Sequence, residues 1–202
     1  MPKILLINYG VGNLRSGKKG LEKAGADVEI IDSKKTLPEG DAIVLPGVGA
    51  FAEAIKNISS MADHIKDNVN SGKPILGICL GLQILFDKSY EGGILKGLGL
   101  LSGDVVKINA EVKLPHIGWN TIKFMKFNPL LENIEDNSYV YFVHSYYAKP
   151  KDSGIEVSLT EYGEKFPSVL VHKNIFATQF HPEKSGIVGL NILKNFVNII
   201  KR

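Results

Sequence analysis

The sequence predicts an α/β fold in which a mostly parallel open sheet is flanked by helices, with an additional antiparallel β section. Three observations lead to this prediction. Short continuous apolar runs alternate with segments of helical periodicity over residues 3–86, as in parallel strands joined by helical crossovers. Several β-prone runs with little helical pattern follow over residues 105–172. A last apolar run at residues 175–180 and an amphipathic helix from Ser185 complete the chain.

The first part of the chain supplies the predicted parallel strands and their helices. Continuous apolar runs predict strands at residues 3–8, 27–31, 41–45 and 74–78. Apolar positions at helical spacing predict helices at residues 13–23 and 50–70. A short helical pattern after Cys79 is formed by Leu82, Ile84, Leu85 and Phe86. Strand and helix therefore alternate up to the middle of the sequence.

The middle of the chain has a different character. A glycine-rich stretch at residues 92–103 is followed by β-prone runs at residues 105–108, 120–124, 138–144, 155–160 and 168–172. Because few helical patterns interrupt these runs, we expect an antiparallel section beside the parallel sheet. The sequence contains no internal repeat, low-complexity segment or linker, so a single domain spanning residues 1–202 is expected.

Charge and apolar patterning argue against two classes of function. The formal net charge is +3 and no block of basic residues exceeds two, so nucleic-acid binding is not expected. The longest apolar runs fall far short of the roughly 20 residues that a helix needs to cross a bilayer, and the N-terminus has no signal-peptide layout. The single cysteine excludes an intrachain disulfide and suits a reducing compartment. We therefore expect a cytoplasmic protein without membrane association.

That single cysteine lies in the sequence Gly77-Ile78-Cys79-Leu80-Gly81, between a predicted buried strand and a helical pattern. A Gly-x-Cys-x-Gly at such a junction is the thiol version of a nucleophile elbow, in which the flanking glycines let strand and helix approach closely. The free N–H groups at the start of the helix favour a thiolate. A buried structural cysteine is the alternative interpretation of the same pattern.

A histidine at the end of a later strand supplies the expected base. Residues two apart in an extended segment project to the same side, so Glu183 can lie beside the imidazole of His181. Pro182 restricts the preceding histidine to extended conformations. A carboxylate in this position would orient the imidazole and stabilise its protonated form. An ordinary surface His-Pro-Glu turn is the alternative, and the presence of the cysteine elbow favours the catalytic interpretation.

Acyl transfer also needs hydrogen-bond donors for the developing oxyanion. The backbone N–H of Leu80, directly after the cysteine, is one expected donor. The glycine-rich turn at residues 46–49 follows an earlier strand and is expected at the same sheet edge, so Val48 and Gly49 are candidates for the second donor. A turn without a catalytic role is the alternative.

Six motifs, in order along the chain, resemble those of the class I, triad-type glutamine amidotransferases. They are residues 8–16 (NYGVGNLRS), 45–51 (LPGVGAF), 77–83 (GICLGLQ), 115–120 (PHIGWN), 144–147 (HSYY) and 179–185 (QFHPEKS). The cysteine and His-Pro-Glu motifs are typical of the whole family, whose fold is a flavodoxin-like, three-layer arrangement. The first and fourth motifs are similar to those of the glutaminase subunits of imidazole glycerol phosphate synthases. A methionine is usual where Leu82 stands, a change that conserves volume.

The resemblance implies a reaction and a set of site residues. Cys79 would attack the side-chain amide carbon of L-glutamine and form a thioester with release of ammonia. His181 would serve as base and then as acid, oriented by Glu183. The residues implied around the substrate are Gly47, Gly49, Gln83, Glu91, Ser145 and Tyr146. A carboxylate such as Glu91 suits the α-ammonium group. No cofactor and no metal ion are implied.

The resemblance also implies a partner, a (β/α)₈-barrel cyclase subunit that receives the ammonia and forms imidazole glycerol phosphate and aminoimidazole carboxamide ribotide. Trp119 is the only tryptophan, and tryptophan is enriched at interface hot spots. Lys184, next to the triad glutamate, is a second interface candidate, and Asn120 and Tyr141 are two more. A core tryptophan is the alternative for Trp119.

The sequence admits four rival interpretations. A dinucleotide site at Gly10-Val11-Gly12 lacks its third glycine, because Arg15 stands there. A metal hydrolase is not expected, because no paired histidines or His-x-x-Glu spacing accompany the cysteine. A glutaminase that serves another synthase, such as the pyridoxal phosphate or GMP pathway enzyme, and a catalytically silent binding module on the same fold remain as alternatives. Retention of Cys79, His181 and Glu183 argues against the silent module.

Overall fold

Strands dominate the computed structural model, which describes residues 1–32, 36–109 and 111–201. The strands found in these residues are β1 (Lys3–Asn8), β2 (Asp27–Asp32), β3 (Ala42–Leu45), β4 (Ile75–Ile78), β5 (Phe86–Ser89), β6 (Leu95–Lys96), β7 (Leu101–Lys107), β8 (His116–Phe124), β9 (Ser138–His144), β10 (Tyr146–Pro150), β11 (Glu156–Tyr162), β12 (Glu164–His172) and β13 (Ile175–Thr178). All the strands that the sequence predicted are present, with shifted ends. The strands β5, β6 and β10 were not predicted.

Five α-helices occur in the described residues. Four of them lie between strands in the first half of the chain, and the fifth lies near its end. They are α1 (Leu14–Lys23), α2 (Phe51–Ile58), α3 (Ala62–Asn70), α4 (Leu80–Gln83) and α5 (Gly186–Ile200). Single 3₁₀ turns lie at Ser59–Met61, Pro129–Leu131, Ser153–Ile155 and Pro182–Lys184. Among the residues that the structure describes, no helix is long and apolar enough to cross a membrane.

Within the part of the chain that the structure describes, nine strands form one mixed sheet in the order β2-β1-β3-β4-β13-β12-β11-β8-β9. The strands from β2 to β13 are parallel, and those from β13 to β9 pair antiparallel. The strand β13 is the junction, because it pairs in parallel with β4 and antiparallel with β12. A second sheet has the order β10-β7-β5-β6. The predicted fold class is confirmed, and the antiparallel section both extends the main sheet and forms the second sheet.

The core lies on both faces of the main sheet, as the alternation of side chains along a strand requires. In β1, Ile4 and Leu6 pack into one apolar cluster, with Leu21 of α1 and Phe196 of α5. Leu5 of the same strand packs into the other cluster, which also contains apolar residues of α2, α3 and the second sheet. Helices therefore cover both faces, in three layers, and leave the carboxyl edge of the parallel strands open for a site.

Two of the predicted helices differ from those observed. The predicted helix at residues 50–70 is broken by the 3₁₀ turn at Ser59–Met61, where the Ser59 hydroxyl donates to the Lys56 carbonyl and competes with the helix. The helix after Cys79 ends at Gln83, and Phe86 begins β5 instead. The carbonyl oxygens of Ile84 and Leu85 accept hydrogen bonds from the chain at residues 98–101, so tertiary pairing replaces the helix.

Candidate active site

Cys79 forms the turn between β4 and α4 with φ 52° and ψ −104°. This combination is sparsely populated for a non-glycine residue and is held only by its surroundings. A Cβ on Gly81 would lie 1.8 Å from the carbonyl oxygen of Leu45, and a Cβ on Gly77 would lie 2.7 Å from the carbonyl oxygen of Gly81. Only glycine fits at both places. The segment therefore has the sharp strand-to-helix turn of a nucleophile elbow.

His181 emerges at the same sheet edge as Cys79, because β13 and β4 are parallel neighbours. The histidine backbone is extended, and the turn at Pro182–Lys184 brings Glu183 back beside the imidazole. Nδ1 of His181 lies 2.8 Å from Oε1 of Glu183, with the two side chains 0% and 7% exposed. A carboxylate can only accept, so Nδ1 carries a proton and Nε2 is left for the sulfur.

The electrostatics favour an ion pair between His181 and Cys79. Burial lowers the pKa of His181, but attraction to the Cys79 thiolate and the bond to Glu183 outweigh burial and raise the pKa of His181 from 6.5 to about 10. Within the described residues, Nε2 of His181 and Oε2 of Glu183 are buried without a conventional hydrogen-bond partner. Charge attraction therefore couples the imidazole to the sulfur, which is what a cysteine nucleophile requires.

Among the described residues, two further polar groups lie near the sulfur of Cys79. The carbonyl oxygen of Val143 and the side-chain Nε2 of Gln179 each lie 3.6 Å from Sγ. Sequence reasoning assigned Gln179 no role beyond its place in a motif. Its spacing was a usable signal, because Gln179 stands two residues before His181 and so projects to the same side of an extended segment.

The glycine-rich turn at residues 46–49 lies against the elbow, as expected, but its peptide orientation differs from that of an open oxyanion site. The carbonyl oxygen of Gly47 accepts a hydrogen bond from the Leu80 N–H at 3.4 Å. The Tyr9 hydroxyl donates to the Pro46 carbonyl and supports the turn from behind. The expected donor residues Val48, Gly49 and Leu80 therefore lie close to one another. The Leu80 N–H, however, is already hydrogen-bonded to the Gly47 carbonyl.

A cleft of about 230 Å³ opens beside the sulfur. It is lined by Val48, Gly49, Cys79, Leu80, Gln83, Glu91, Pro115, Val143, His144, Ser145 and Tyr146. Every residue that the sequence assigned to glutamine binding lines this cleft except Gly47. Gly47 lies behind it, where a Cβ would come 2.9 Å from the Tyr9 hydroxyl and 2.8 Å from Cβ of Leu80. Close packing requires glycine at this position, and the assignment of Gly47 to glutamine binding stays a prediction.

Two of the lining side chains are held by the backbone of neighbouring elements. Oε2 of Glu91 accepts from the Phe51 N–H, at the start of α2, at 3.3 Å. Burial raises the pKa of Glu91, and this hydrogen bond opposes the effect. Nε2 of Gln83 donates to the Tyr146 carbonyl at 2.8 Å. Acidic and amide groups are therefore fixed at the cleft wall.

A chain of hydrogen bonds between uncharged side chains ends at the same Tyr146 carbonyl. The sequence did not reveal this chain. Nδ1 of His144 lies 2.9 Å from that oxygen, which can only accept, so Nδ1 carries the proton. Nε2 of His144 then accepts from Nδ1 of His116 at 3.1 Å, and Nε2 of His116 accepts from Asn120 at 3.3 Å. Burial lowers the pKa of His116 to about 4 and is the main cause that lowers the pKa of His144 to about 3, so both stay neutral near pH 7. No local sequence pattern signals this pair, because it depends on the β8–β9 register, which places His116 opposite His144.

The outer face of the β8–β9 hairpin is apolar and exposed. Trp119 is 56% and Tyr139 is 62% exposed, and the rings of Trp119 and Tyr141 meet edge to face with centroids 6.0 Å apart. Nζ of Lys184 lies 5.8 Å from the centroid of the Tyr141 ring. We call Ile117, Trp119, Tyr139 and Tyr141 the aromatic face. The fourth interface candidate, Asn120, differs, because its amide is turned toward His116 and the Glu161 carbonyl.

No group of three or more His, Cys, Asp or Glu side chains in residues 1–32, 36–109 and 111–201 is arranged to hold a metal ion. The polar groups at the cleft are instead a thiol, an imidazole, carboxylates and amides. This set suits nucleophilic attack on an acyl group, with the imidazole moving the proton.

Comparison with known proteins gives a consistent result over the whole chain. Residues 5–200 match the family described as glutamine amidotransferase class-I. The subunit HisH of imidazole glycerol phosphate synthase from Caldanaerobacter subterraneus subsp. tengcongensis is 48% identical over 198 residues, covering 97% of this chain and 98% of that protein. The protein of the same name from Methanocaldococcus jannaschii is 49% identical over 195 residues, covering 96% and 98%.

Solved structures show the same fold at lower identity. PurLQS from Thermotoga maritima aligns with a TM-score of 0.77 at 19% identity, covering 98% of each chain. A putative GMP synthase component from Thermoplasma acidophilum aligns with a TM-score of 0.75 at 24% identity, covering 100% of this chain and 94% of that one. At these identities the likeness concerns the fold alone.

Proposed function

The chain belongs to the class-I glutamine amidotransferase family, and on that premise we propose that it is the glutaminase subunit of an imidazole glycerol phosphate synthase in histidine biosynthesis. The observation that carries this proposal is 47–49% identity to HisH subunits across nearly the full length of both chains. The match over residues 5–200 supports one catalytic domain spanning residues 1–202. A thiolate nucleophile suits the reducing cytoplasm, which is the proposed compartment.

The proposed reaction begins with attack of the Cys79 thiolate on the side-chain amide carbon of L-glutamine. The C–N bond then breaks, the proton on Nε2 of His181 goes to the leaving nitrogen, and ammonia departs from a thioester. In the second half, His181 takes a proton from water, the resulting hydroxide attacks the thioester, and glutamate leaves with regeneration of the thiolate. The short bond between His181 and Glu183 supports these roles, because it keeps Nε2 directed at the sulfur.

Each half-reaction passes through an oxyanion that needs two donors. With the Gly47 carbonyl on the Leu80 N–H, the site holds an acceptor where donors are required. We infer that the Gly47–Val48 peptide rotates during catalysis, which would free the Leu80 N–H and turn the Val48 N–H toward the substrate. Glycine at position 47 supports this inference, because it lacks the side chain that would resist the rotation.

The cleft also fits the amino-acid end of glutamine. The carboxylate of Glu91 suits the α-ammonium group, and its anchoring to Phe51 restricts its position. Ser145 and Tyr146 also line the cleft, and the bonds from Gln83 and His144 to the Tyr146 carbonyl hold this segment. A bound glutamine would place its side-chain amide at Cys79.

We propose that ammonia passes to a (β/α)₈-barrel cyclase subunit docked on the aromatic face. Exposed aromatic side chains in one patch are typical of protein interfaces. The face lies close to the catalytic segment, since Lys184 directly follows Glu183 and its ammonium group lies over the Tyr141 ring. The partner would thereby contact the glutaminase near its triad.

The test is an assay of ammonia release from glutamine, with and without a candidate cyclase and its nucleotide ligand. We expect hydrolysis that the liganded cyclase stimulates, and we expect Cys79→Ala to abolish hydrolysis while cyclase binding persists. Full activity of Cys79→Ala would contradict the assigned nucleophile. Stimulation by a different synthase and none by the cyclase would contradict the assigned pathway.

A further inference from the structure

We propose that Gln179 is a further catalytic residue, whose side-chain amide donates a hydrogen bond to the sulfur of Cys79 and holds it as a thiolate. The inference deepens the proposed function and rests on it. The side chain of Gln179 is fully buried, and its Nε2 lies 3.6 Å from Sγ, within hydrogen-bond range for sulfur. It therefore touches the atom that attacks the substrate.

The orientation of the Gln179 amide follows from its neighbours. The Tyr146 carbonyl can only accept, so the group of Gln83 that lies 2.8 Å from it must be the NH₂ group. The same Nε2 of Gln83 lies 3.5 Å from the other end of the Gln179 amide, which must then be the acceptor Oε1. The NH₂ group of Gln179 consequently faces the sulfur. The Gln83 side chain and the Tyr146 carbonyl thus fix which atom of Gln179 points at the nucleophile.

The backbone keeps this side chain in place. Gln179 directly follows β13, and its N–H donates to the Ser168 carbonyl of β12 at 3.0 Å. The preceding residue, Thr178, accepts a 2.7 Å hydrogen bond from the Cys79 N–H through its carbonyl. Donor and nucleophile are thus attached to two strands that are hydrogen-bonded to each other, and their distance is set by the sheet.

The two polar neighbours of the sulfur have opposite effects on its protonation. The Val143 carbonyl can only accept, so it stabilises the S–H form. The Gln179 N–H can only donate to sulfur, and a hydrogen bond to the charged form favours that form. Without Gln179, the attraction to His181 would face the opposing effect of the Val143 carbonyl without help from this donor. The amide therefore shifts the balance toward the reactive form.

The sole cysteine allows a direct test, because alkylation by iodoacetamide reports on Cys79 alone. The rate of alkylation would be measured against pH for the full-length protein and for Gln179→Met, which keeps length but has no donor. Gln179→Glu is the second variant, since it keeps the size of the side chain and places a carboxylate at the sulfur. Thr160→Val on β11 is the matched control, because it removes the hydrogen bond of another buried side chain, away from the sulfur. Circular dichroism would establish that each variant is folded.

We expect the midpoint of the alkylation profile to rise by about one pH unit in Gln179→Met and further in Gln179→Glu, so that alkylation below the midpoint slows roughly tenfold. Thr160→Val should leave the midpoint unchanged. A folded Gln179→Met or Gln179→Glu with the wild-type midpoint would overturn the proposal, because a purely structural glutamine would lower stability without moving the profile. The readout needs no glutamine, so it is independent of whether the chain hydrolyses glutamine.

Discussion

The backbone N–H of His181 donates a hydrogen bond to the carbonyl oxygen of Tyr141 at 2.9 Å. Buried Ser185 adds to this link, because its hydroxyl donates to the His181 carbonyl at 2.6 Å and accepts from the Tyr141 N–H at 3.0 Å. The edge of β9, whose side chains form part of the aromatic face, is thus bonded directly to the segment that carries the base. A partner that moves Tyr141 would move His181.

Ser185→Ala is expected to loosen this link. The change removes two hydrogen bonds and leaves the Tyr141 N–H without its acceptor, which should lower the free energy of unfolding by about 2 kcal/mol. We also expect a reduced kcat for glutamine hydrolysis, since His181 would be held less firmly. Urea unfolding and ammonia-release kinetics would measure the two effects.

Ser138→Ala provides the matched control. Ser138 lies on the same strand as Tyr141, and its hydroxyl makes one exposed hydrogen bond, to the Glu135 carbonyl. Its removal should change stability by less than about 0.5 kcal/mol. Equal stability and equal kcat in Ser185→Ala and Ser138→Ala would show that Ser185 does not position the base.

Glu183→Gln should preserve the shape of the triad and remove its charge. We expect kcat for ammonia release to fall by a factor on the order of 10³–10⁴, because the imidazole loses both its tautomer selection and its counterion. Steady-state kinetics at saturating glutamine would measure the fall. Near-wild-type kcat would contradict the role of Glu183.

The same variant has a pH-dependent effect on stability. The pKa of His181 is about 10 in the folded protein, above its unfolded value of about 6.5. The stabilisation of the charged imidazole is therefore complete below about pH 6.5 and is lost as the pH rises toward 10. The difference in unfolding free energy between wild type and Glu183→Gln should be largest near pH 6 and smaller at about pH 10. Urea unfolding at a series of pH values would measure it. A difference that grows with pH would contradict the assignment.

Trp119→Ala should weaken association with the cyclase. Trp119 is 56% exposed and its ring packs on the Tyr141 ring, so the change to alanine takes apolar area from the centre of the proposed interface. Hot-spot residues contribute about 2 kcal/mol or more, so Kd should rise roughly 30-fold. Calorimetric titration with the cyclase would measure it. Phe127→Ala, an 80% exposed aromatic in the connection between β8 and β9 and not part of the aromatic face, should leave Kd unchanged, and equal effects of the two changes would argue against the aromatic face.

Two glycine-to-alanine changes should have opposite effects on stability. Gly81→Ala would drive a Cβ to 1.8 Å from the Leu45 carbonyl oxygen and force β3 away from α4, at a cost of about 3 kcal/mol or more. Gly17→Ala, inside α1, meets Leu6 at an ordinary 3.8 Å and should stabilise by about 0.5–1 kcal/mol. Thermal unfolding would measure both. An unchanged Tm in Gly81→Ala would contradict the packing account of the elbow.

Much of the fold was accessible from the sequence, because its signals are local. The runs that became β1, β3, β4 and β13 are continuous and apolar, as strands covered on both faces must be. The glycines of the elbow are required by the close approach of adjacent segments, and the same-side relation of His181 and Glu183 follows from their spacing. The segment after Cys79 was mispredicted as a longer helix, because its carbonyls bond to residues 98–101, and periodicity does not report such distant partners.

The sequence by itself therefore determined the fold class, the elbow at Cys79 and the candidate triad, all of which depend on residue types at short spacing. The tertiary structure alone decided which atoms meet at the sulfur and around it. Gln179 is 100 residues from Cys79 in the chain, and its contact depends on the register of β13 against β4. The occupation of the Leu80 N–H by the Gly47 carbonyl depends on the rotation of a single peptide plane. Registers and peptide orientations are set by the sum of many distant contacts, and no local pattern encodes them.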